Sequence, residues 1–253
     1  MCFYNSQSKR ALALAKRYGR KTDILEIWQE IMEEKRRNGE ISDLTEGAYS
    51  IPAFKSPFSA IITHSDQLQP MRWGLISHLT KDRETIIKKD KKNWYKNARS
   101  ESVFETWPYK LVISSQRCII PSTGFFEWHE NPDGSKTPYY IHMPETEILS
   151  IGGMWDLWID QTTGEKISSY VMITTSANSL MKEIHNSGQN PYRMPLILPE
   201  KDIDNWLNPN SPIQDIISLM KPYQDNELEA YPVDKGFRKM ENMYNPEIVK
   251  RIA

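Results

Sequence analysis

Apolar side chains near the start of the chain recur every three or four positions, which is the spacing of one face of a helix. Residues 8–18 show this spacing and predict a first helix. Residues 24–38 predict a second helix, with Asp23 placed to cap its start and Gly39 placed to end it. The apolar positions of the two helices are Ala11, Leu12, Leu14, Ala15, Ile24, Ile27, Trp28 and Ile31.

Farther along, the pattern changes to short runs rich in β-branched and aromatic residues, broken by Pro, Gly and an Asn-Pro-Asp-Gly turn. The predicted strands are 59–63, 71–76, 111–114, 117–120, 123–129, 138–143, 148–158 and 168–174. The later elements are a short helix that Ser176 caps and that ends near Ile184, a strand over 194–198, and helices near 200–207 and 212–221. This order predicts one α+β domain over residues 1–253, with helices around mostly antiparallel, strongly bent sheets.

The composition is typical of a soluble globular protein, with 253 residues, 39% hydrophobic and 26% charged. No apolar run reaches the roughly 18 residues of a membrane span, and no signal-peptide stretch is present, so we expect a cytoplasmic protein with no membrane partner. Cys2 and Cys118 are too few for a disulfide framework or a four-ligand zinc site. We predict no metal and no cofactor, since the following histidines show no metal-ligand spacing: His64, His78, His129 and His142.

Charge is distributed unevenly along the chain. Residues 81–99 carry eight basic side chains against three acidic ones, whereas residues 200–247 carry ten acidic and five basic ones. With Trp94 and Tyr95 inside it, the basic segment has the composition of a surface that attracts phosphates and stacks on bases. A solvated surface loop is the alternative that the charge pattern leaves open.

Cys2 carries unusual chemistry once Met1 is removed, because it then bears both an α-amine and a thiol. The reference pKa values of these groups are about 7.7–8.0 and about 8.5. Such a 1,2-aminothiol condenses with an aldehyde to a Schiff base and then closes to a five-membered thiazolidine. The thiolate can instead attack a carbonyl, as in an N-terminal-nucleophile hydrolase. A frayed chain end without a chemical role is the third alternative.

Other polar residues are candidates for supporting chemistry. Asn97 offers an amide donor and acceptor to a sugar, and Arg99 offers a fork for a phosphate. Glu127 lies among large aromatic residues, where lost solvation would raise the pKa of a carboxyl and suit it to proton transfer. His185 follows a predicted helix and can act as an acid or a base. For each residue a purely structural role, or a side chain that faces water, remains the alternative.

Six short motifs occur in one order along nearly the whole chain, and together they resemble the SOS-response-associated peptidase (SRAP) family of abasic-site processing proteins. The motifs are Met-Cys at the start, Met71-Arg-Trp73-Gly-Leu-Ile, Asn97-Ala-Arg-Ser-Glu, Arg117-Cys-Ile-Ile-Pro with Gly-Phe-Phe-Glu127-Trp, Thr174-Thr-Ser-Ala-Asn with Ile-His185, and Arg193-Met-Pro-Leu-Ile-Leu.

The resemblance implies a pseudo-barrel α+β domain that binds single-stranded DNA at an abasic site. In such a protein, Cys2 forms a thiazolidine crosslink with the open-chain aldehyde of the abasic sugar after Met1 is removed. The implied enzyme is an autoprocessing hydrolase of SRAP type that crosslinks DNA, with possible lyase activity, and acts as a monomer associated with the nucleoid. Asn97 would position the sugar or the amine, and Glu127 and His185 would transfer protons. The implied DNA contacts are Arg99, Arg193 and Trp73, the last as part of an aromatic wedge.

The chain departs from the family pattern at several places. The family commonly starts with Met-Cys-Gly-Arg, whereas Phe3 and Tyr4 stand here, so a basic DNA contact near the site is missing. Residues 186–192 replace about one residue of the family pattern between the histidine and the arginine motifs, which puts the role of Arg193 in doubt. Residues 8–40 are an added helical pair, so we expect a helical insertion there.

Two rival functions follow from the same residues. The first is a cysteine peptidase or amidohydrolase that uses Cys2 on an amide. The second is a non-catalytic module that binds single-stranded nucleic acid through the basic segment and its aromatic rings.

Overall fold

The computed structural model describes residues 2–38, 46–144, 148–239, 241 and 243–252. The helices are α1 Ala11–Tyr18, α2 Asp23–Ile31, α3 Glu33–Arg37, α4 Arg83–Lys91, α5 Ser179–Ile184, α6 Ile203–Leu207 and α7 Ile213–Leu219. The strands are β1 Tyr4–Gln7, β2 Ala48–Pro52, β3 Phe58–Ile61, β4 Gln69–Trp73, β5 Asn97–Arg99, β6 Arg117–Ser122, β7 Gly124–Glu130, β8 Lys136–His142, β9 Leu149–Ile159, β10 Lys166–Ser176, β11 Arg193–Pro195 and β12 Glu229–Pro232.

The strands form two sheets. One sheet has the order β12-β8-β7-β1-β2, and the other has the order β3-β4-β10-β9-β6, with β5 and β11 also paired to β10. Most pairs are antiparallel, while β4 and β5 run parallel to β10. The expected α+β fold, with curled and mostly antiparallel sheets and few helices, is confirmed. In the described part of the chain, every helix is too short or too polar to cross a membrane.

The two faces of the second sheet are both buried, because alternate residues of a strand point to opposite sides. In β10, Tyr170 and Met172 face a core shared with the first sheet, whereas Val171 and Ile173 face a core shared with helices α1, α2, α6 and α7. Cys2 belongs to the core between the two sheets. The side chain of Cys2 is therefore inside the protein, against both sheets.

The predicted helices near the N-terminus have outcomes that local geometry explains. The helix predicted over 8–18 begins at Ala11 and ends at Tyr18, and Gly19 caps it in the left-handed conformation with φ 60°. The helix predicted over 24–38 is divided at Met32 into α2 and α3. Gly39, its predicted end, lies outside the described residues. These helices occupy the described part of 8–40, and its origin as an insertion stays a prediction.

Other element predictions were wrong or incomplete. The strand predicted over 111–114 is a buried turn in which the Ile113 N–H donates to the Tyr109 carbonyl at 3.0 Å. A short apolar run does not by itself separate a strand from a buried turn. Asn178 rather than Ser176 caps α5, through its side chain and the Met181 N–H at 2.9 Å. The sequence pattern missed β1, β2, β5, β12 and α4.

Candidate active site

Cys2 lies just before β1, and its side chain is 1% exposed. Its thiol donates a hydrogen bond to the Tyr4 carbonyl at 3.4 Å. Burial raises the pKa of the Cys2 thiol well above its ordinary value, and the negative charge of Glu127 raises it further. The thiol is therefore protonated at neutral pH, and a thiolate forms only when a base removes that proton.

The pairing of β1 brings Cys2 toward Glu127. Strand β1 lies antiparallel between β2 and β7, with Tyr4 opposite Phe126. The Ala53 N–H donates to the Phe3 carbonyl at 2.8 Å, which holds the chain ahead of the strand. Glu127 follows Phe126 in β7, so its carboxylate lies near the residues that precede Tyr4.

Asn97 holds the main chain of Cys2. Its side-chain Nδ2 donates to the Cys2 carbonyl at 2.9 Å, and its Oδ1 is buried without a hydrogen-bond partner among the described residues. Strand β5 places Asn97 opposite Met172 of β10. A buried acceptor without a donor costs free energy, so this oxygen is available to a donor that arrives during the reaction.

Glu127 and His185 form a buried pair. The carboxylate Oε2 lies 4.0 Å from the imidazole Nε2, and the two residues are 5% and 6% exposed. The other ring nitrogen, Nδ1, lies 3.2 Å from the Arg193 N–H and 3.0 Å from the Arg193 carbonyl. Burial lowers the pKa of His185, although the Glu127 charge opposes this. His185 is therefore neutral at neutral pH and can accept a proton.

A groove connects this buried pair with solvent. It has a volume of about 540 Å³. Its lining residues are Tyr4, Glu127, Trp128, Lys136, His185, Ser187, Lys235 and Arg238. The proton-transfer candidates therefore lie at the inner wall of an opening that a ligand can enter. Sequence reasoning missed Lys235 and Arg238, although a Lys-Gly-Phe-Arg-Lys run at 235–239 stands out in the acidic C-terminal region.

The predicted DNA contacts Arg99 and Arg193 differ in their surroundings. Arg99 is exposed and hydrogen-bonds to the Asn190 side chain. The guanidinium of Arg193 forms two hydrogen bonds to the Glu101 carboxylate and donates to the Thr174 carbonyl at 2.7 Å. The charge of Arg193 is therefore already paired, whereas Arg99 is open to a phosphate.

The loop over 186–192 explains why the extra residues do not separate Arg193 from His185. The Tyr192 N–H donates to the His185 carbonyl at 2.8 Å, so the loop closes on its own ends. The chain then continues into β11 through Arg193, whose main chain contacts the imidazole. The imidazole of His185 and the main chain of Arg193 thus stay in contact despite the seven residues between them.

Trp73, the residue predicted for an aromatic wedge, lies in the core between the two sheets. Its side chain is 0% exposed, stacks on Tyr170 with 5.9 Å between ring centroids, and donates from Nε1 to the Lys96 carbonyl at 2.8 Å. Trp73 alternates with the half-buried Arg72 along β4, which is the pattern of an inward-facing strand residue. It is a core residue in this structure, and its part in a wedge near the lesion stays a prediction.

Trp73→Ala is therefore expected to act on stability. Loss of this buried ring should lower the free energy of unfolding by about 3–5 kcal/mol in urea titrations, with unchanged DNA affinity of the folded protein. Trp94→Ala, at a residue 49% exposed, is the matched control and should change stability little. A Trp73→Ala protein that keeps normal stability but no longer binds DNA would support a direct role of Trp73 in DNA binding.

The basic segment over 81–99 is partly neutralised by its own fold. Asp90 pairs with Arg72 and with Lys96, whose side chain is 1% exposed. Burial lowers the pKa of Lys96 to about 8. Lys89 lies over the rings of Tyr95 and Trp107, with 5.1 and 4.7 Å from Nζ to the centroids. The cations of this segment that remain toward solvent include Lys91 on α4, Lys92 beside the Trp94 ring, and Arg99.

Among the described residues, no three His, Cys, Asp or Glu side chains are grouped in a way that could hold a metal ion.

Comparison with known proteins gives consistent matches over most of the chain. The family model described as SOS response associated peptidase (SRAP) matches residues 1–240. The abasic site processing protein YoqW of Bacillus subtilis is 31% identical over 213 residues, which cover 82% of this chain and 89% of that protein. The abasic site processing protein HMCES of Xenopus tropicalis is 28% identical over 66% of this chain and 52% of its own length. A crystal structure of a protein from Bacteroides thetaiotaomicron has a TM-score of 0.86 and 36% identity, with complete coverage of both chains.

Proposed function

Since the chain belongs to the SRAP family, we propose that it processes abasic sites in single-stranded DNA by forming a covalent crosslink through Cys2. The observation that carries this proposal is the grouping of Cys2, Asn97, Glu127 and His185 around the start of β1, next to a groove open to solvent. The names of the curated relatives support the choice of an abasic site as substrate.

The first step is hydrolysis of the peptide bond between Met1 and Cys2, which consumes one water molecule and leaves an α-amine on Cys2. Asn97 already donates to the Cys2 carbonyl, so the residue stays in place while the amine is released. The buried Oδ1 of Asn97 then accepts a hydrogen bond from the new amine.

The second step joins the amine to the open-chain aldehyde of the abasic sugar. Nitrogen adds to the aldehyde carbon, and the resulting hemiaminal loses water to give a Schiff base. An acid must protonate the departing hydroxyl, and a base must take a proton from nitrogen. The neutral His185 takes the proton from nitrogen and, as an imidazolium beside the Glu127 carboxylate, returns it to the departing hydroxyl at the inner wall of the groove.

The third step closes the ring. The Cys2 sulfur adds to the former aldehyde carbon, a carbon–sulfur bond forms, and the thiol proton ends on the Schiff-base nitrogen. The overall crosslinking reaction releases one water molecule and yields a thiazolidine. Because the thiol is protonated in its buried position, ring closure depends on a nearby base to move this proton.

An abasic sugar has no base to unpair or unstack, so the protein needs little energy to bring it into a pocket. Contacts to flanking phosphates, such as those offered by Arg99, carry affinity without base-specific recognition. The proposed protein acts as a monomer, associates with the nucleoid when bound to DNA, and uses neither a metal nor a cofactor. Autoproteolysis of Met1 and possible lyase activity belong to the same proposal.

The test uses a single-stranded oligonucleotide with one abasic site and a matched one with a tetrahydrofuran residue, which has no aldehyde, at the same position. After heating in denaturant, the protein should give a shifted band with the first oligonucleotide only. Its mass should equal that of the two components less Met1 and one water. Absence of the band contradicts the proposal, turnover of peptides without DNA supports the peptidase, and salt-sensitive retention alone supports the binding module.

A further inference from the structure

The groove beside Glu127 and His185 carries cations that the proposed chemistry does not use. Lys136, Lys235 and Arg238 line the groove, and all three side chains are exposed. A neighbouring concavity, again about 540 Å³, extends the groove past Tyr4 and Arg238 to Lys239. The opening toward the buried pair therefore has a basic rim.

The cations of the rim differ in how far acidic partners neutralise them. Lys136 lies 3.3 Å from Glu130, and Lys239 lies 3.8 Å from Glu241. Within the described part of the chain, no carboxylate lies in ion-pair contact with Lys235 or Arg238. These two charges are therefore available to an anion that enters the groove.

The turn that carries Arg238 is held rigidly. The 3₁₀ turn Lys235–Arg238 begins at Asp234, whose carboxylate accepts the Gly236 N–H at 2.6 Å. Phe237 is 1% exposed and stacks on Phe126, with 4.2 Å between ring centroids. A main-chain anchor comes from Ser50, whose hydroxyl donates to the Phe237 carbonyl at 2.8 Å. A cation on such a turn loses little freedom on binding.

The guanidinium of Arg238 is itself oriented by an aromatic ring. Its central carbon lies 5.4 Å from the centroid of Trp128, which follows Glu127 in β7. Arg238 also lies close enough to the Tyr4 phenol for its positive charge to act on it. Burial raises the pKa of Tyr4, and the charge of Arg238 lowers it. Tyr4 and Arg238 both line the groove, so a cation from the C-terminal part of the chain lies beside the first strand.

We propose that Arg238, assisted by Lys235, binds a backbone phosphate of the DNA strand next to the abasic sugar. The inference rests on the proposed function, since it takes the groove as the path of the strand. A planar guanidinium presents paired donors to phosphate oxygens, and its contact with the Trp128 ring keeps it at the groove. The turn over 235–238 thus supplies positive charge to the groove beside Tyr4.

The experiment measures equilibrium binding of a single-stranded oligonucleotide with one tetrahydrofuran residue, over a range of salt concentrations. Arg238→Gln should raise the Kd about tenfold at low salt. The plot of the logarithm of the association constant against the logarithm of the salt concentration should become shallower by about 0.7. Arg238→Lys keeps the positive charge and should therefore keep the salt dependence of the wild type. Lys235→Gln should weaken binding by less than Arg238→Gln does.

Arg251→Gln is the matched control, because Arg251 is also exposed and rests on a ring, 5.3 Å from the centroid of Tyr231, without lining the groove. It should bind DNA like the wild type. Equal effects of the Arg238 and Arg251 substitutions, or none of either, would overturn the phosphate contact. Because the tetrahydrofuran oligonucleotide cannot crosslink, this result is independent of whether the wild type forms a covalent band with the aldehyde. Failure of that band would instead contradict the proposed function.

Discussion

Cys2→Ala is expected to eliminate the heat-stable crosslink entirely. The variant keeps an α-amine at the same position once Met1 is removed, but it lacks the sulfur that closes the ring. It can therefore form a Schiff base, which hydrolyses on heating. Addition of borohydride should trap this Schiff base as a stable amine and restore a shifted band, which separates the role of the amine from that of the thiol.

Cys118→Ala is the matched control for this experiment. Cys118 is also a buried thiol, 0% exposed, and belongs to the same core between the sheets. Its removal costs similar packing but leaves the chain start intact, so the crosslink should form as in the wild type. Crosslinking by Cys2→Ala without borohydride, or its loss in Cys118→Ala at normal stability, would contradict the role given to Cys2.

Glu127→Gln is expected to slow crosslink formation by about 10²–10⁴-fold, the usual contribution of a positioned acid or base. The substitution keeps the size of the side chain but removes the carboxylate that lies 4.0 Å from the His185 imidazole. The affinity for the tetrahydrofuran oligonucleotide should stay near the wild-type value, because no phosphate contact is removed. The measurement is the single-turnover rate of band formation at saturating protein.

Glu130→Gln provides the comparison on the same strand. Glu130 lies three residues farther along β7 and pairs with Lys136 near the surface. Its rate of crosslinking should be unchanged within a factor of about two, since exposed ion pairs contribute little. Equal rates for Glu127→Gln and wild type would show that the carboxylate has a structural role only.

Much of the fold was predictable because period-two alternation continues through the long strands. Strands β7 to β10 lie close to their predicted positions, since each is longer than six residues and buried on at least one face. The short strands β1 and β5 were missed because four and three residues carry too little pattern. Their pairing is set by distant parts of the chain, and the sequence does not display these contacts locally.

The candidate site was predictable from ordered motifs rather than from local pattern. Asn97, Glu127 and His185 are far apart in the chain, and the structure brings Asn97 to the Cys2 main chain and Glu127 to His185. The core position of Trp73 was predictable, because alternation along β4 places it on the inward side. Arg238 was not predictable, since its place in the groove depends on the packing of Phe237 against the first sheet.

The depth at which Cys2 lies also determines how long the protein remains usable in a cell. Oxidants and disulfides attack thiolates, and exposed thiolates of low pKa react first. A protonated sulfur enclosed between two sheets meets neither condition, so peroxide and glutathione disulfide should spare it over long storage. Protein that has not yet met DNA would thus keep its thiol in the reduced form until an abasic strand enters the groove.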